Sequence, residues 1–314
     1  MDTFTKDDLL NCHEKIKPHI HRTPVLTSRT LNAEIGAEIF FKCENFQRAG
    51  SFKMRGASHA ISCLTDEEKA KGVVAHSSGN FAQAIALSAK SANIAACIAM
   101  PATAPKVKLA ATAAYGGEMI ETEATAEDRE RVADEIVAKR GSTFLHPSND
   151  INVILGQGTS AMELFEEQAN LDFLLVPVGG GGLIAGCSLA ARFFGNGCKV
   201  IGAEPMAADD AFRSLASGKI ESNETTETIA DGLRTNLGNH NFPIIQQHVQ
   251  RIIRVSEKEI VTAMKLIWNR MKILVEPSCA VPFAALTREQ QSFADKKIGI
   301  VLSGGNVDIE NLPF

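Results

Sequence analysis

The sequence predicts an α/β protein with doubly wound parallel sheets, divided into two lobes. Three observations predict it. Short apolar runs alternate with longer stretches of 3.6-residue periodicity almost from end to end, the pattern of strands followed by crossover helices. At 314 residues the chain is long enough for two cores rather than one. Hydrophobic residues make up 45% and charged residues 22%, ordinary globular proportions that argue against disorder.

Strands are expected at Glu38–Lys42, Val73–His76, Ala95–Met100, Glu118–Glu121, Phe173–Val178, Lys199–Ala203, Arg251–Val255 and Ile298–Leu302. Most are near-continuous apolar runs, as strands covered on both faces require. Helices are expected between them, and Thr65 with Glu68 and Ser256 with Glu259 have the spacing of capping boxes that open two. The stretch Phe173–Ala191 is uncharged and could pass for a membrane span, but Pro177 and four consecutive glycines interrupt it. A buried strand, a glycine turn and a buried helix fit it better. No internal repeat or low-complexity linker is visible. The clusters at Pro101–Pro105, His146–Pro147 and Gly195–Gly197 are loops, so composition alone draws no domain boundary.

Charge and cysteine usage exclude several classes. The net charge of −5 comes without any basic run, so no nucleic acid and no anionic membrane is expected as partner. The N-terminus, Met1 to Asp8, lacks the layout of a signal peptide. The seven cysteines (Cys12, Cys43, Cys63, Cys97, Cys187, Cys198, Cys279) form no C-x-x-C pair, the usage of a reducing compartment, so a cytoplasmic protein is expected. The eight histidines form no cluster with cysteine, which argues against zinc.

In open α/β sheets, ligands bind where strand ends feed helix N-termini. Val178-Gly179-Gly180-Gly181-Gly182-Leu183 joins an apolar strand to a helix expected at Leu183–Phe194. Its glycines bare their N–H groups and the helix adds its positive end, so the loop is expected to cup a phosphate. It lacks the Lys-Ser/Thr of a P-loop and the spacing of a dinucleotide fingerprint. His76-Ser77-Ser78-Gly79-Asn80-Phe81 leads into a helix at Ala82–Lys90. Its hydroxyls and amide suit a carboxylate, and suit plain N-capping equally well. Gly50-Ser51-Phe52-Lys53-Met54-Arg55-Gly56 sets a lysine beside a phenyl ring, between glycines. A desolvated amine there would have a lowered pKa suited to imine formation. Ile300-Val301-Leu302-Ser303-Gly304-Gly305-Asn306 ends a buried strand, and Ser303 either meets a ligand's ring nitrogen or caps the turn.

Together these segments resemble the fold-type II pyridoxal phosphate enzymes (the tryptophan synthase β-like fold), in the serine racemase and serine/threonine dehydratase branch. The resemblance runs from His21-Arg22-Thr23-Pro24-Val25-Leu26 through Lys42-Cys43-Glu44-Asn45-Phe46-Gln47 to Leu302-Ser303-Gly304-Gly305-Asn306-Val307-Asp308. Ser51-Phe52-Lys53 with Arg55-Gly56, Ser77-Ser78-Gly79-Asn80 and Gly179 to Gly182, in that order, carry it. β-Replacement enzymes such as cysteine synthase have different lysine and glycine-loop motifs.

The resemblance implies a large cofactor-binding domain of residues 1–71 and 149–314 and a small, mobile substrate-binding domain of 72–148. Lys53 would hold the cofactor as an imine and move the α-proton on one face. Phe52 would lie near the ring, Asn80 would bond its phenolic oxygen, and Gly179, Gly180, Gly181 and Gly182 would hold the phosphate. Ser303 would face the pyridine nitrogen, where a neutral hydroxyl weakens the ring as an electron sink and favours prompt loss of a β-substituent. Ser77, Ser78, Gly79 and Asn80 would grip the substrate carboxylate. Ser78 matches the serine that exchanges a proton on the opposite face in serine racemases; dehydratases carry it too, so racemisation stays open. Glu204, the Ala208 carbonyl and Asp210 match a segment that binds Mg²⁺, or Ca²⁺ or Mn²⁺, although acids at a helix start are ordinary in any protein.

The implied activity is dehydration of a small 3-hydroxy amino acid, such as L-serine or L-threonine, to a 2-oxo acid and ammonia. The alternatives are a racemase acting on serine or aspartate, and a 3-hydroxyaspartate dehydratase. Three departures bear on that choice. Phe81 stands where animal serine racemases have His, Ser148 follows Pro147 where an Asn is usual, and Asp134-Glu135 lies near their substrate-facing Arg. Gln83, Tyr115 and Asn306 match positions that help bind ATP in animal serine racemases, but the rest of that site is not identifiable. Relatives are commonly dimers, so a homodimer is expected by analogy. Biosynthetic threonine dehydratases carry a C-terminal regulatory domain, for which the chain has no room after Phe314, so isoleucine inhibition is not expected.

Overall fold

Among the described residues, ten strands, β1 (Val25–Leu26), β2 (Glu38–Cys43), β3 (Val73–His76), β4 (Ala96–Pro101), β5 (Glu118–Thr122), β6 (Thr143–Phe144), β7 (Phe173–Pro177), β8 (Lys199–Pro205), β9 (Val249–Val255) and β10 (Lys297–Leu302), form two sheets. The computed structural model describes residues 4–77, 79–104 and 106–314. The larger sheet has the order β1-β2-β10-β7-β8-β9 and the smaller β5-β4-β3-β6. Every pairing is parallel except that of β1 with β2.

Strand periodicity explains why both faces are covered. Successive side chains point to opposite sides. Leu174 and Val176 join one core with Ile154, Ile184 and Ile245, while Leu175, between them, joins the other with Phe41, Met264 and Phe283. The smaller sheet divides likewise, Val73 and Ala75 to one core and Val74 to the other. An alternating polar strand could not sit at the centre of either sheet, which is why the central strands read as apolar runs, whereas the edge strand β5 carries Glu118 and Glu121.

Chain order places the site. From β7 the larger sheet grows outward through β8 and β9, and then β10 returns to the other side of β7. The winding reverses between β7 and β10, and that switch point opens a crevice at the strands' carboxyl ends. The glycine loop follows β7 and Ser303 follows β10, so both enter that crevice. Two strands had no sequence expectation: β1 and β6 are only two residues long, too short for a recognisable run. Among the described residues, no helix is long and apolar enough to cross a membrane.

Candidate active site

The lysine segment is docked by backbone before its side chain does anything. Ser51 pairs antiparallel with Gly304, and the N–H of Phe52 donates to the carbonyl of Ser303 at 3.0 Å. Gly50 turns with φ 69°, and any Cβ there would run into the side chain of Asn306. Lys53 therefore begins the helix Lys53–Ser62 beside the end of β10.

Beneath it, Arg55 is fully buried and donates to Glu44 at 2.7 and 2.9 Å and to Glu163 at 2.8 and 2.7 Å. Lys42 donates to Glu163 at 2.7 Å, and Thr23 to Glu44 at 2.6 Å. Two cations face two carboxylates, and charge can be buried only on such terms. Thr23, Lys42, Glu44 and Arg55, each in a motif that carried the resemblance, thus hold the floor of the site rather than face its cavity.

The amine of Lys53 donates to the carbonyl of Pro147 at 2.6 Å and lies 5.0 Å from the centre of the Phe52 ring and 5.6 Å from that of Phe81. Desolvation lowers its pKa to about 7, against the opposing pull of the Glu276 carboxylate. Near neutral pH much of this amine is therefore uncharged and nucleophilic.

The amine opens into a cavity of about 480 Å³. Phe52, Lys53, Asn80, Gly179, Gly180, Gly181, Gly182 and Ser303 all line it, with Ser77 and Gly79 among them. Ser78 lies outside the described residues.

The glycine loop is glycine for steric reasons. Gly181 has φ 82°, and a Cβ on it would come within 2.6 Å of Asn241 Oδ1. A Cβ on Gly182 would meet Ser148 O at 2.8 Å, and one on Gly179 would meet Leu233 Cα at 2.8 Å. Asn241, fully buried, clamps the loop by donating to Gly180 O at 2.8 Å and Ser148 O at 3.0 Å. The helix Gly182–Phe194 starts here with no side chain capping its free N–H groups. That leaves a ready site for a phosphate.

Several cavity residues carried no local signal. Lys108, 2% exposed, is paired with Asp231 across the cavity and lies 4.0 Å from Glu276. His76 stacks on Phe144 with ring centres 5.3 Å apart and meets His146 edge-on at 5.6 Å. Burial lowers both histidines to about 4, so both are neutral. His146 Nδ1 accepts from the N–H groups of Ser148 and Asn149, which fixes its proton on Nε2.

One expectation is corrected. Asp134-Glu135 does not face the cavity; Arg129 and Glu130 do, from the helix Ala126–Arg140. Arg129 Nη1 donates to Ala124 O at 3.1 Å, and the guanidinium has no ion-pair partner among the described residues.

Glu204 and Asp210 stand apart from the cavity. Glu204 Oε1 accepts from the N–H of Phe212 at 3.0 Å, while Oε2 is buried with no partner. Burial, and then the charges of Asp210 and Asp209, push its carboxyl well up, and burial raises Asp210 to about 6. Asp210 Oδ2 accepts from the N–H of Leu237 at 2.9 Å, which ties it to the cavity wall. Among the described residues, no group of three His, Cys, Asp or Glu side chains is placed to hold a metal. Two carboxylates and the buried Ala208 suit a hard cation with oxygen ligands. Of the ATP-matching positions, Asn306 donates to Asn80 Oδ1 at 3.0 Å and Gln83 is buried with its amide nitrogen unpartnered; Gln83 and Tyr115 do not line the cavity.

A family model described as pyridoxal-phosphate dependent enzyme matches residues 16–304. The L-threo-3-hydroxyaspartate ammonia-lyase of Saccharomyces cerevisiae is 49% identical over 307 residues, covering 98% of this chain and 94% of that one. The serine racemase of Schizosaccharomyces pombe is also 49% identical over 307 residues, covering 98% and 95%. The solved structure of maize serine racemase superposes with a TM-score of 0.94 at 44% identity, covering 97% and 94%. A desolvated lysine amine and a helix start without a side-chain cap open into one cavity, which suits this cofactor, and the chain belongs to the pyridoxal-phosphate dependent enzymes.

Proposed function

We propose that the chain is a pyridoxal-phosphate dependent ammonia-lyase that converts a 3-hydroxy amino acid to a 2-oxo acid and ammonia, and that its substrate carries a second carboxylate, as 3-hydroxyaspartate does. The observation that carries the reaction is the desolvated amine of Lys53, in a cavity also lined by the glycine loop and by Ser77, Gly79 and Asn80. Bound pyridoxal phosphate supplies the electron sink that makes the α-proton acidic.

The chain's own residues do the rest. Gly179 to Gly182 hold the phosphate through backbone N–H groups, Asn80 donates to the ring oxygen, and Ser303 offers a neutral hydroxyl to the ring nitrogen. Ser77, Ser78, Gly79 and Asn80 hold the α-carboxylate. Lys53 takes the α-proton and returns it to the departing hydroxyl, which leaves as water; the released product hydrolyses to a 2-oxo acid and ammonia. The segment 72–148 closes over the substrate and excludes water. Glu204, the Ala208 carbonyl and Asp210 hold a divalent cation that braces the cavity wall through Leu237.

Relatives at equal identity are named for elimination and for racemisation, so their names do not choose between the two. Arg129 supports the substrate choice, because an unpaired guanidinium at a cavity wall favours a ligand with a carboxylate to spare. The test is Arg129→Leu. We expect kcat/KM for L-threo-3-hydroxyaspartate to fall ~100-fold, the worth of one charge-assisted hydrogen bond, while that for L-serine changes by less than ~3-fold. Equal losses on both substrates would remove Arg129 from substrate choice.

A further inference from the structure

Glu276 is a buried group at this site that the proposed reaction leaves without a task. It immediately precedes the helix Pro277–Arg288 and is 2% exposed. An acid in that position commonly caps the helix, but the side chain of Glu276 makes no cap bond. It turns to the cavity instead. A carboxylate this far from water needs donors on both oxygens. Oε1 accepts from Asn80 Nδ2 at 2.7 Å. Oε2 has no hydrogen-bond partner, and the ammonium of Lys108 stands 4.0 Å away.

The consequence falls on Asn80. Its Nδ2 is drawn to Glu276 and its Oδ1 accepts from Asn306 Nδ2 at 3.0 Å; the same Asn306 nitrogen donates to Ala49 O at 2.8 Å. A flipped amide would set the Asn80 oxygen against a carboxylate and its nitrogen against a nitrogen. An ionised carboxylate only accepts, so it decides which end of the amide faces which way. One N–H of Asn80 is then left over in the cavity wall.

The groups involved come from different sheets. Asn80 opens the helix after β3, and Lys108 lies on the helix Lys106–Ala114 after β4, both from the smaller sheet. Glu276 and Asp231 belong to segments packed on the larger one. We propose that Glu276 is a positioning residue that joins the two lobes: it fixes the Asn80 carboxamide so that the remaining N–H is presented to the cofactor, and Lys108 is the counter-ion that keeps it a carboxylate. The inference rests on Asn80 being a cofactor ligand, as the proposed function has it. Burial raises the Glu276 carboxyl to about 7 with Lys108 opposing, as expected of an acid that needs its cation.

The experiment is a double-mutant cycle read on cofactor affinity, with apoprotein titrated by pyridoxal phosphate and the melting midpoint of each apoprotein as a check on folding. Glu276→Gln keeps the shape but turns its amide nitrogen away from Lys108 and toward Asn80, forcing the Asn80 amide over. It is expected to weaken cofactor binding about tenfold, the worth of one hydrogen bond. Asn80→Ala should weaken it at least as much, and the double variant should bind no worse than Asn80→Ala alone. Should Glu276→Gln not fold, Glu276→Asp draws the carboxylate back by one methylene and serves in the same cycle. An unchanged affinity in the Glu276 variant, or losses that multiply in the double variant, overturn the inference alone. An Asn80→Ala protein that binds the cofactor as tightly as wild type overturns the placement of Asn80 and, with it, this inference.

Discussion

Lys53 sits where a charged ammonium would be expensive, and the sequence announces this through Phe52 and its flanking glycines. The lysine's partners are another matter. Arg129, Lys108 and Glu276 lie in segments that carry no local sign of a site, and each matters only because folding brings it to the same cavity. His76 and His146 are of the same kind, and their burial yields a test. Their folded pKa values of about 4 lie below the usual 6.5. Above pH 6.5 neither folded nor unfolded chain binds these protons, so the stabilisation is fully present. As pH falls toward 4 the unfolded chain takes them up first, and stability is lost at up to ~1.4 kcal/mol per pH unit for each histidine. His76→Phe keeps the stack on Phe144 and removes one of the two protons. The loss of urea midpoint between pH 7 and pH 5 should be smaller in the variant than in wild type; an equal loss in both would mean that His76 is not held neutral.

At the scale of elements, the central strands were legible because a strand buried on both faces must be apolar at every position. Their ends moved by only a residue or two, β8 continuing to Pro205 and β9 starting at Val249. Both capping boxes formed, at Thr65 and at Ser256. In the helix Ala126–Arg140 an apolar stripe of Val132, Ala133, Ile136 and Val137 marks the face turned to the sheet, but with charges over the rest of its surface nothing local marks Arg129 and Glu130 as the residues at the cavity. The glycine loop was legible as a turn between a strand and a helix, but the clamp of Asn241 on it was not. Gly181→Ala tests the loop as an element. The left-handed conformation alone costs roughly 1–2 kcal/mol for a residue with Cβ, and the contact with Asn241 adds to it. We expect cofactor affinity, followed by absorbance titration, to fall by more than ~10-fold; wild-type affinity in a folded variant would show that the loop does not need its observed shape.

Across the whole molecule, two sheets with helices on both faces follow from the alternation of runs, but the meeting of the sheets does not. Ala57, Ile61 and Val153 pack into the core of the smaller sheet, and at the cavity single long-range contacts span the chain: Lys53 to Pro147, Asn80 to Glu276 and Lys108 to Asp231. No local pattern encodes a contact between residues so far apart in the chain. The acidic pair Glu204 and Asp210 acts at this scale too, since Asp210 holds the N–H of Leu237 in the cavity wall. A buried pair of this sort gains from a cation and suffers without one. Exhaustive chelation should lower the melting temperature, and added Mg²⁺ should restore it; a melting temperature indifferent to both would remove Glu204, Ala208 and Asp210 from the site.

The most direct test of the reaction is a product assay on holoenzyme with L-threo-3-hydroxyaspartate and L-serine, following 2-oxo acid and the chirality of the remaining amino acid together, with Lys53→Ala as the blank. The account predicts 2-oxo acid and ammonia in equal amounts, faster from 3-hydroxyaspartate, and nothing from the blank. Conversion to the opposite enantiomer without 2-oxo acid, or turnover in Lys53→Ala, would contradict it.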